Sequence, residues 1–284
     1  MQSNFRHNKD YVLPMTYIEK LNKATAAGNV CVGLDPVISR MPEHLRERAD
    51  GLNIFCESIV SSTAPYTAAY KPNLAFFEAL GRDGYDALER LIDSVRKNAP
   101  QAIIIGDGKR SDIGSTAQRY AVAMFDRWGF DAVTVNPYLG SDGIKPFTER
   151  TDRGVYLLAM TTNPSAVELQ DHGGEGDPLY LRVARLAETL WNEDNNVGLV
   201  VGATRADRIA RVRELSPSLP FLIPGVGAQG GDLDTAVSLG LSPDNPPGVI
   251  NSSRGIIYAS SGEDFAEQAG EQAKLLRDNI ADCK

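Results

Sequence analysis

AIIIGDGKRSDIGSTAQRYAVAMFDRW, residues 102–128, contains the change of pattern that decides the fold. The apolar run 102–105 is followed directly by charged residues and then by apolar residues at helical spacing. A continuous apolar run is typical of a strand that is covered on both faces in a parallel sheet. The apolar helical positions are Ile113, Ala117, Tyr120, Ala121, Met124, Phe125 and Trp128. The segment therefore predicts a strand, a polar loop and an amphipathic helix.

The same unit recurs along the whole chain. Eight short apolar runs alternate with segments of helical periodicity, and the runs are residues 30–34, 67–70, 102–105, 132–135, 155–159, 197–201, 221–223 and 249–250. Eight such units in about 250 residues favour an α/β fold of the (β/α)8 TIM barrel type, with an open doubly wound sheet as the alternative. We predict an arm over residues 1–14 and a single barrel over residues 15–284. Its first helix should end near Ala27, and its closing helix should cover residues 262–280.

Composition restricts the classes of function. The 284 residues include 29 basic and 37 acidic ones, and the resulting net charge of −8 disfavours binding to nucleic acid, which needs a basic surface. Three cysteines, Cys31, Cys56 and Cys283, are too few for a disulfide framework and favour a cytoplasmic location. The amino terminus lacks the pattern of a signal peptide, and no apolar run has the length that crosses a bilayer, so we expect no membrane association.

Polar residues follow each of the eight predicted strands. They are Asp35, Lys71, Asp107 with Lys109, Asn136, Thr161 with Thr162, Thr204 with Arg205, Gln229, and Asn251 with Arg254. In a (β/α)8 barrel the carboxyl ends of the strands form one rim, and active sites lie there. The sequence therefore predicts a functional site on this rim.

The charged cluster after the third strand is the strongest candidate for catalysis. Asp107 and Lys109 are two residues apart, so they point to the same side if the strand stays extended. An ammonium group beside carboxylates keeps its charge and becomes a fixed cation. The alternative is a solvated loop whose ion pairs are only structural.

A glycine-rich segment and an arginine predict an anion site near the end of the chain. The segment PGVGAQGG, residues 224–231, lets the backbone approach a ligand closely, and Arg254 follows the next strand. The seventh and eighth loops of this fold commonly bind phosphate. A flexible connector is the alternative. Residues 163–177 form a second glycine-containing segment, which predicts a long loop that serves as a lid.

The string Asp107-x-Lys109-x-x-Asp112-Ile113-x-x-Thr116 resembles the signature of the orotidine 5'-phosphate decarboxylase family. Four further segments are similar to that family, namely CVGLDP at 31–36, YKPN at 70–73, PGVGAQGG at 224–231 and NSSRGIIYAS at 251–260. The resemblance covers residues 17–260, and GLDP and SSR are similar to the longer bacterial (type 2) branch.

The resemblance implies a reaction and a division of roles. It implies that orotidine 5'-phosphate is converted to uridine 5'-phosphate and CO2, without cofactor or metal, in de novo pyrimidine biosynthesis. Lys109 would stabilise and protonate the carbanion at C6, and Asp107 would hold Lys109 in place. Asp112 and Thr116 would reach the site of a neighbouring subunit, which implies a homodimer with shared active sites.

The resemblance also implies the residues that bind the nucleotide. Asp35 and Lys71 would contact the ribose, although an ion pair between them at the strand ends is the alternative. Thr162 would contact the pyrimidine, with Thr161 equally available. The phosphate would be held by Gln229 and Arg254.

Three other functions remain open at this stage. Mg2+-dependent sugar-phosphate decarboxylases and aldolases also contain an Asp-x-Lys-x-x-Asp string, although His7, His44 and His172 show no spacing of metal ligands. A Schiff-base aldolase would use Lys71 or Lys109, but a lysine held in its charged form is a poor nucleophile. A nucleotide-binding module without catalysis would be expected to lack Lys109 or one of the aspartates.

Overall fold

The computed structural model describes residues 15–226, 232–241 and 246–284. Eight parallel strands form a closed barrel in sequence order, and the last strand pairs with the first. The strands are β1 Val30–Leu34, β2 Ala69–Pro72, β3 Ile103–Arg110, β4 Ala132–Val135, β5 Gly154–Met160, β6 Val197–Val201, β7 Phe221–Pro224 and β8 Val249–Ser252. The predicted (β/α)8 barrel is confirmed, and the open-sheet alternative is wrong. The predicted arm, residues 1–14, lies outside the described residues.

Helices connect the strands and cover the outside of the barrel. In chain order they are α1 Tyr17–Thr25, α2 Glu43–Arg46, α3 Gly51–Thr63, α4 Leu74–Glu78, α5 Gly81–Asn98, α6 Gly114–Ala121, α7 Ser141–Thr148, α8 Val167–Gln170, α9 Leu179–Leu186, α10 Ala206–Leu215, α11 Leu233–Gly240, α12 Arg254–Ile257 and α13 Phe265–Asp282. Two π-helical segments, Val122–Arg127 and Ala187–Trp191, continue α6 and α9. None of the helices in the described ranges combines the length and apolar character of a bilayer-crossing helix.

Alternate residues of each strand point into the barrel and form a separate apolar cluster there. Its strand residues are Cys31, Ala69, Ile103, Ile105, Ala132, Tyr156, Val200, Leu222 and Val249. The residues between them pack outward against the helices in the larger cluster. Because side chains alternate with a period of two, later inward positions at or just after the carboxyl ends of five strands are polar. These positions are Asp35, Lys71, Asp107, Thr134 and Asn251, and all five therefore meet at one rim.

Helix α1 closes the opposite, amino-terminal end of the barrel. Thr16 caps this helix, since its hydroxyl accepts from the Glu19 N–H while the Glu19 carboxylate accepts from the Thr16 N–H. The Tyr17 hydroxyl donates to the Tyr156 hydroxyl at 2.8 Å inside the barrel. Gly154 makes room for this contact, because a Cβ there would lie 2.3 Å from the Tyr17 ring. The polar rim is thus at the end that α1 leaves uncovered.

Ile113 departs from the predicted helical stripe. Ala117, Ala121, Met124 and Phe125 are buried as expected, but the Ile113 side chain is 57% exposed. The reason is that α6 begins at Gly114, and Ile113 precedes it in an extended conformation with φ −117°. Ile113 therefore belongs to the surface beside the rim and not to the core.

Candidate active site

Two lysines bind one carboxylate at the end of β3. Lys71 Nζ lies 2.5 Å from Asp107 Oδ2, and Lys109 Nζ lies 2.5 Å from Asp107 Oδ1. The side chains of Lys71 and Asp107 are each 8% exposed, whereas the Lys109 side chain is 48% exposed. Lys109 is therefore the cation of this network that a ligand can approach from solvent.

The charges of the network stabilise one another. Burial acts to raise the pKa of Asp107, but the Lys71 and Lys109 ammonium groups outweigh it and hold that pKa far below its ordinary value. Burial also acts to lower the pKa of Lys71, but the carboxylates of Asp107 and Asp35 outweigh it and raise the pKa. At neutral pH the rim thus carries a carboxylate and a buried ammonium that are both charged.

The backbone of Lys109 is not extended as the sequence analysis assumed. Strand β3 continues through Arg110, but its pairing with β4 is irregular between Gly106 and Arg110. Lys109 has a φ of 46°, in the left-handed region that a residue with a Cβ rarely adopts. The Lys109 ammonium nevertheless reaches Asp107, as predicted, because the side chain is long enough to turn back.

Asp35 has a buried oxygen that is free to accept a hydrogen bond from a ligand. Within the described ranges no ion pair joins Asp35 to Lys71, so the alternative of a strand-end pair is wrong, and Lys71 binds Asp107 instead. The Asp35 Oδ1 atom is buried without a hydrogen-bond partner among those residues. Burial raises the pKa of Asp35, against the opposing effect of Lys71. An unpaired buried acceptor is unfavourable, so a ligand hydroxyl at this position would be stabilised.

A cleft joins this network to the ends of β7 and β8. Asp35, Lys71 and Asp107 line it together with residues 224–226 and 251–255. Arg254 lies in this second group with an exposed side chain that forms no ion pair in the part of the chain that the structure describes. Gln229, the other predicted phosphate ligand, lies outside the described residues. The cleft thus contains both an unpaired guanidinium and residues of the lysine network.

The two candidate threonines after β5 differ in their partners. The Thr161 hydroxyl donates to Asn163 Oδ1 at 2.6 Å and accepts from Gln170 Nε2 at 2.7 Å. The Thr162 hydroxyl makes no hydrogen bond to any described residue, and its methyl group lies close to Gly202. Thr162 therefore has the hydroxyl that remains available to a ligand.

The segment after β5 contains more helical structure than the long loop that the sequence predicted. Residues 164–166 form a 3-10 turn and α8 follows directly. The Asp171 carboxylate binds both terminal nitrogens of Arg208 on α10, at 2.5 and 2.6 Å. These contacts attach the segment to the neighbouring helix beside the rim.

Asp112 and Thr116 do not join the lysine network of their own chain. Thr116 is exposed on α6, and the Asp112 carboxylate accepts a hydrogen bond from the adjacent Ile113 N–H at 2.8 Å. Neither side chain contacts Asp107 or Lys109 within the described ranges. Both lie beside exposed apolar side chains, among them Ile113 and Leu139.

Thr134 on β4 is a site residue that the sequence analysis missed. Its hydroxyl accepts from the Lys109 backbone N–H at 2.9 Å and donates to Asp107 Oδ1 at 2.9 Å. The side chain is 2% exposed. One feature of the sequence could have indicated Thr134. It is the single polar residue of the apolar run AVTV, and it lies at an inward position of the strand next to that of Asp107.

The acidic groups of the rim are poorly suited to hold a metal ion. Within the described ranges, no group of three His, Cys, Asp or Glu side chains converges as metal ligands. Both oxygens of Asp107 already accept hydrogen bonds from ammonium groups, which would repel a divalent cation.

Comparisons with known proteins agree with this geometry. The profile of the "Orotidine 5'-phosphate decarboxylase / HUMPS family" matches residues 28–269. Orotidine 5'-phosphate decarboxylase of Roseiflexus castenholzii is 46% identical over 269 residues, covering 94% of this chain and 97% of its own length. The enzyme of the same name from Variovorax paradoxus is 47% identical over 276 residues, covering 95% and 100%.

A solved structure supports the same assignment. The chain is similar to Leishmania donovani OMP decarboxylase, with a TM-score of 0.79 and 36% sequence identity, over 93% of this chain and 99% of that one. Sequence similarity and fold similarity therefore both extend over nearly the whole chain. On these grounds the chain belongs to the orotidine 5'-phosphate decarboxylase family.

Proposed function

We propose that this enzyme converts orotidine 5'-phosphate to uridine 5'-phosphate and CO2 through Lys109, in de novo pyrimidine biosynthesis. The observation that carries the proposal is the Lys71–Asp107–Lys109 network, which opens onto a cleft that also contains Asp35 and Arg254. The network supplies a fixed cation, and the cleft supplies groups that suit a sugar and a phosphate.

Lys109 provides the chemistry that the reaction needs. Loss of CO2 leaves a carbanion at C6 in the plane of the pyrimidine ring, where the π-system cannot accept the charge. Stabilisation must come from a positive group that is already in place where the charge develops. The Lys109 ammonium is such a group, and it also carries the proton that C6 receives.

Asp107 and Lys71 position that ammonium group. Asp107 accepts from both lysines, so the Lys109 ammonium is directed before any substrate arrives. Lys71 is buried and holds the second oxygen of Asp107, which fixes the orientation of the carboxylate. Preorganisation of this kind avoids the cost of rearrangement during the reaction.

The nucleotide is bound by groups on other strands. The unpaired Asp35 oxygen accepts a hydrogen bond from a ribose hydroxyl, and the Thr162 hydroxyl contacts the pyrimidine. Arg254 and Gln229 bind the phosphate, where a guanidinium forms two parallel charge-assisted hydrogen bonds. Phosphate binding far from C6 supplies energy that can be used to reach the transition state.

Turnover by chelator-treated protein tests the proposal. Orotidine 5'-phosphate is added after treatment with EDTA, and the loss of the orotate ultraviolet absorbance is followed together with formation of uridine 5'-phosphate. Full turnover is expected without added metal. Activity that returns only with Mg2+ would favour the metal-dependent relatives, and inactivation by borohydride in the presence of substrate would favour a Schiff-base aldolase.

Arg254→Ala is expected to raise KM for orotidine 5'-phosphate about 100-fold, since the guanidinium–phosphate hydrogen bonds contribute roughly 1.5–3 kcal/mol. Steady-state kinetics measure the change. Arg254→Lys is the control, because it keeps the charge and loses the bidentate geometry, and it should have an intermediate KM. An Arg254→Ala enzyme with unchanged KM would contradict the phosphate role.

We also propose that the enzyme is a homodimer in which Asp112 and Thr116 complete the partner's active site. Two observations support this. Asp112 and Thr116 do not contact the lysine network of their own chain, and the surface around them exposes Ile113, Tyr138 and Leu139 at 57%, 75% and 45%. Exposed apolar side chains grouped beside polar ones are typical of a protein interface.

Mixing two inactive variants tests the shared site. Lys109→Ala and Asp112→Ala homodimers are each expected to be inactive. Hybrid dimers, formed by mixing under mildly dissociating conditions, should recover activity, because one of their two sites then contains Lys109 and the partner's Asp112 intact. Two Lys109→Ala preparations mixed in the same way are the control. Hybrids without recovered activity would show that each chain uses its own Asp112.

A cytoplasmic location belongs to the same proposal. Cys31, Cys56 and Cys283 are free thiols, and two of them are buried. Unpaired cysteines suit a reducing compartment, where nucleotide biosynthesis intermediates are also available. Fractionation of cells that express the protein would test the location.

A further inference from the structure

The backbone around Lys109 contains a bulge that faces a single residue of the next strand. Gly106 pairs with Val133 and Arg110 pairs with Val135. Three residues of β3 therefore lie opposite one residue of β4, which is Thr134. A bulge leaves backbone groups without their regular ladder partners.

The side chain of Thr134 replaces one of those missing partners. The Lys109 N–H donates to the Thr134 hydroxyl oxygen at 2.9 Å, inside the bulge. Lys109 is one of two residues other than glycine in the described ranges that have a positive φ, here 46°. Such a conformation persists only where the surroundings hold it, and the Thr134 hydroxyl is a contact that does so.

The same hydroxyl also directs the carboxylate of the network. Its proton is donated to Asp107 Oδ1 at 2.9 Å, the oxygen that also accepts from Lys109 Nζ. The hydroxyl therefore connects the Lys109 backbone to the acceptor of the Lys109 side chain. A hydroxyl is required for this, since one group must accept and donate at once.

We infer that Thr134 is a positioning residue for decarboxylation, which sets the place of the Lys109 ammonium through the backbone of Lys109 and through Asp107. The inference rests on the proposed function and extends it to a residue buried behind the charged network. Because Thr134 is only 2% exposed, a ligand in the cleft does not reach it. Its effect on the reaction therefore passes through its contacts with the Lys109 N–H and Asp107.

Thr134→Val and Thr134→Ser test this role. Valine keeps the volume and loses the hydroxyl, so kcat for orotidine 5'-phosphate is expected to fall about 100-fold, as small displacements of reacting groups do. KM and the dissociation constant of uridine 5'-phosphate should change less than about threefold, because the groups that bind the nucleotide remain. Serine restores the hydroxyl and should recover kcat to within about fivefold of the wild type.

Thr63→Val is the matched control. Thr63 is also fully buried, and its hydroxyl binds the Ile59 carbonyl and the Tyr70 hydroxyl outside the rim. Both Thr63→Val and Thr134→Val should have a lower free energy of unfolding in urea than the wild type. Thr63→Val should nevertheless keep the wild-type kcat. If Thr134→Val does not fold, Thr134→Ala replaces it with the same expected loss of kcat.

Two results would overturn the inference alone. They are a Thr134→Val enzyme with kcat within threefold of an active wild type, and serine and valine variants that are equally impaired. A wild-type protein without any turnover would overturn the proposed function and this inference together.

Discussion

Replacing Lys109 with alanine is expected to lower kcat by at least about 10,000-fold, because the substitution removes the group that we propose as both the cation and the proton donor at C6. No other described cation can substitute for it without rearrangement, since the Lys71 ammonium is buried on the other oxygen of Asp107 and Arg254 lies at the end of a different strand, β8. Single-turnover measurements with excess enzyme give the rate of the chemical step directly.

Binding and stability distinguish loss of chemistry from loss of structure. Lys109→Ala should bind uridine 5'-phosphate within a few-fold of the wild type, as measured by calorimetry, because Arg254 and Asp35 are unchanged. Its free energy of unfolding should stay close to that of the wild type, since the Lys109 side chain is half exposed and Asp107 keeps Lys71. A variant that retained more than one hundredth of the wild-type kcat would contradict the assignment.

Asp107→Asn is expected to impair activity and stability together. The amide leaves Lys71 buried without its counter-charge, and breaking a buried ion pair on one side costs about 3–5 kcal/mol of unfolding free energy. It also releases the Lys109 ammonium, so kcat should fall about 1,000-fold. Urea unfolding at neutral pH and steady-state kinetics measure the two effects.

The loss of stability caused by Asp107→Asn should become smaller as the pH falls into the acid range. The folded-state pKa of Asp107 lies below its ordinary value of 3.8, so the ionised carboxylate stabilises the wild type at every pH above that value. This contribution is lost as the pH falls through the folded-state pKa. The difference in unfolding free energy between wild type and variant should therefore be constant from pH 7 to about pH 5 and should narrow in stronger acid.

Asp126→Asn is the matched control for this series. Asp126 also forms an ion pair, with Arg150, but it lies on the surface, where ion pairs contribute little. The substitution should change neither kcat nor the stability appreciably. An Asp107→Asn protein as stable as Asp126→Asn at neutral pH would show that the Lys71–Asp107 ion pair is not required for stability.

Much of the fold follows from local patterns in the sequence. The apolar runs predicted all eight strands because each strand is covered by helices outside and by packed side chains inside. The end of β3 was not predictable from apolar character, since the strand continues through Gly106 and the charged residues to Arg110. The polar side chains at the end of this strand lie at the rim, where solvent and neighbouring charged groups bind them.

The contact between Asp107 and Lys109 was predicted from the sequence, whereas the other contacts of the network were not. Asp107 and Lys109 meet as predicted, and Lys71 joins them because it lies at the inward position of the neighbouring strand. That Lys71 binds Asp107 and not Asp35 depends on side-chain directions that spacing does not define. Thr134 was missed because a β-branched residue in a strand has an ordinary structural explanation. The positive φ of Lys109 arises from the pairing of two strands, which no local pattern encodes.

Product release is restricted by the closed floor of the barrel. Tyr17 of α1 and Tyr156 of β5 meet there, and both side chains are fully buried, so they fill the amino-terminal end. In the proposed reaction CO2 forms beside Lys109 while Arg254 holds the phosphate. We therefore expect gas and nucleotide to leave by the same route through which the substrate entered, at the carboxyl ends of the strands.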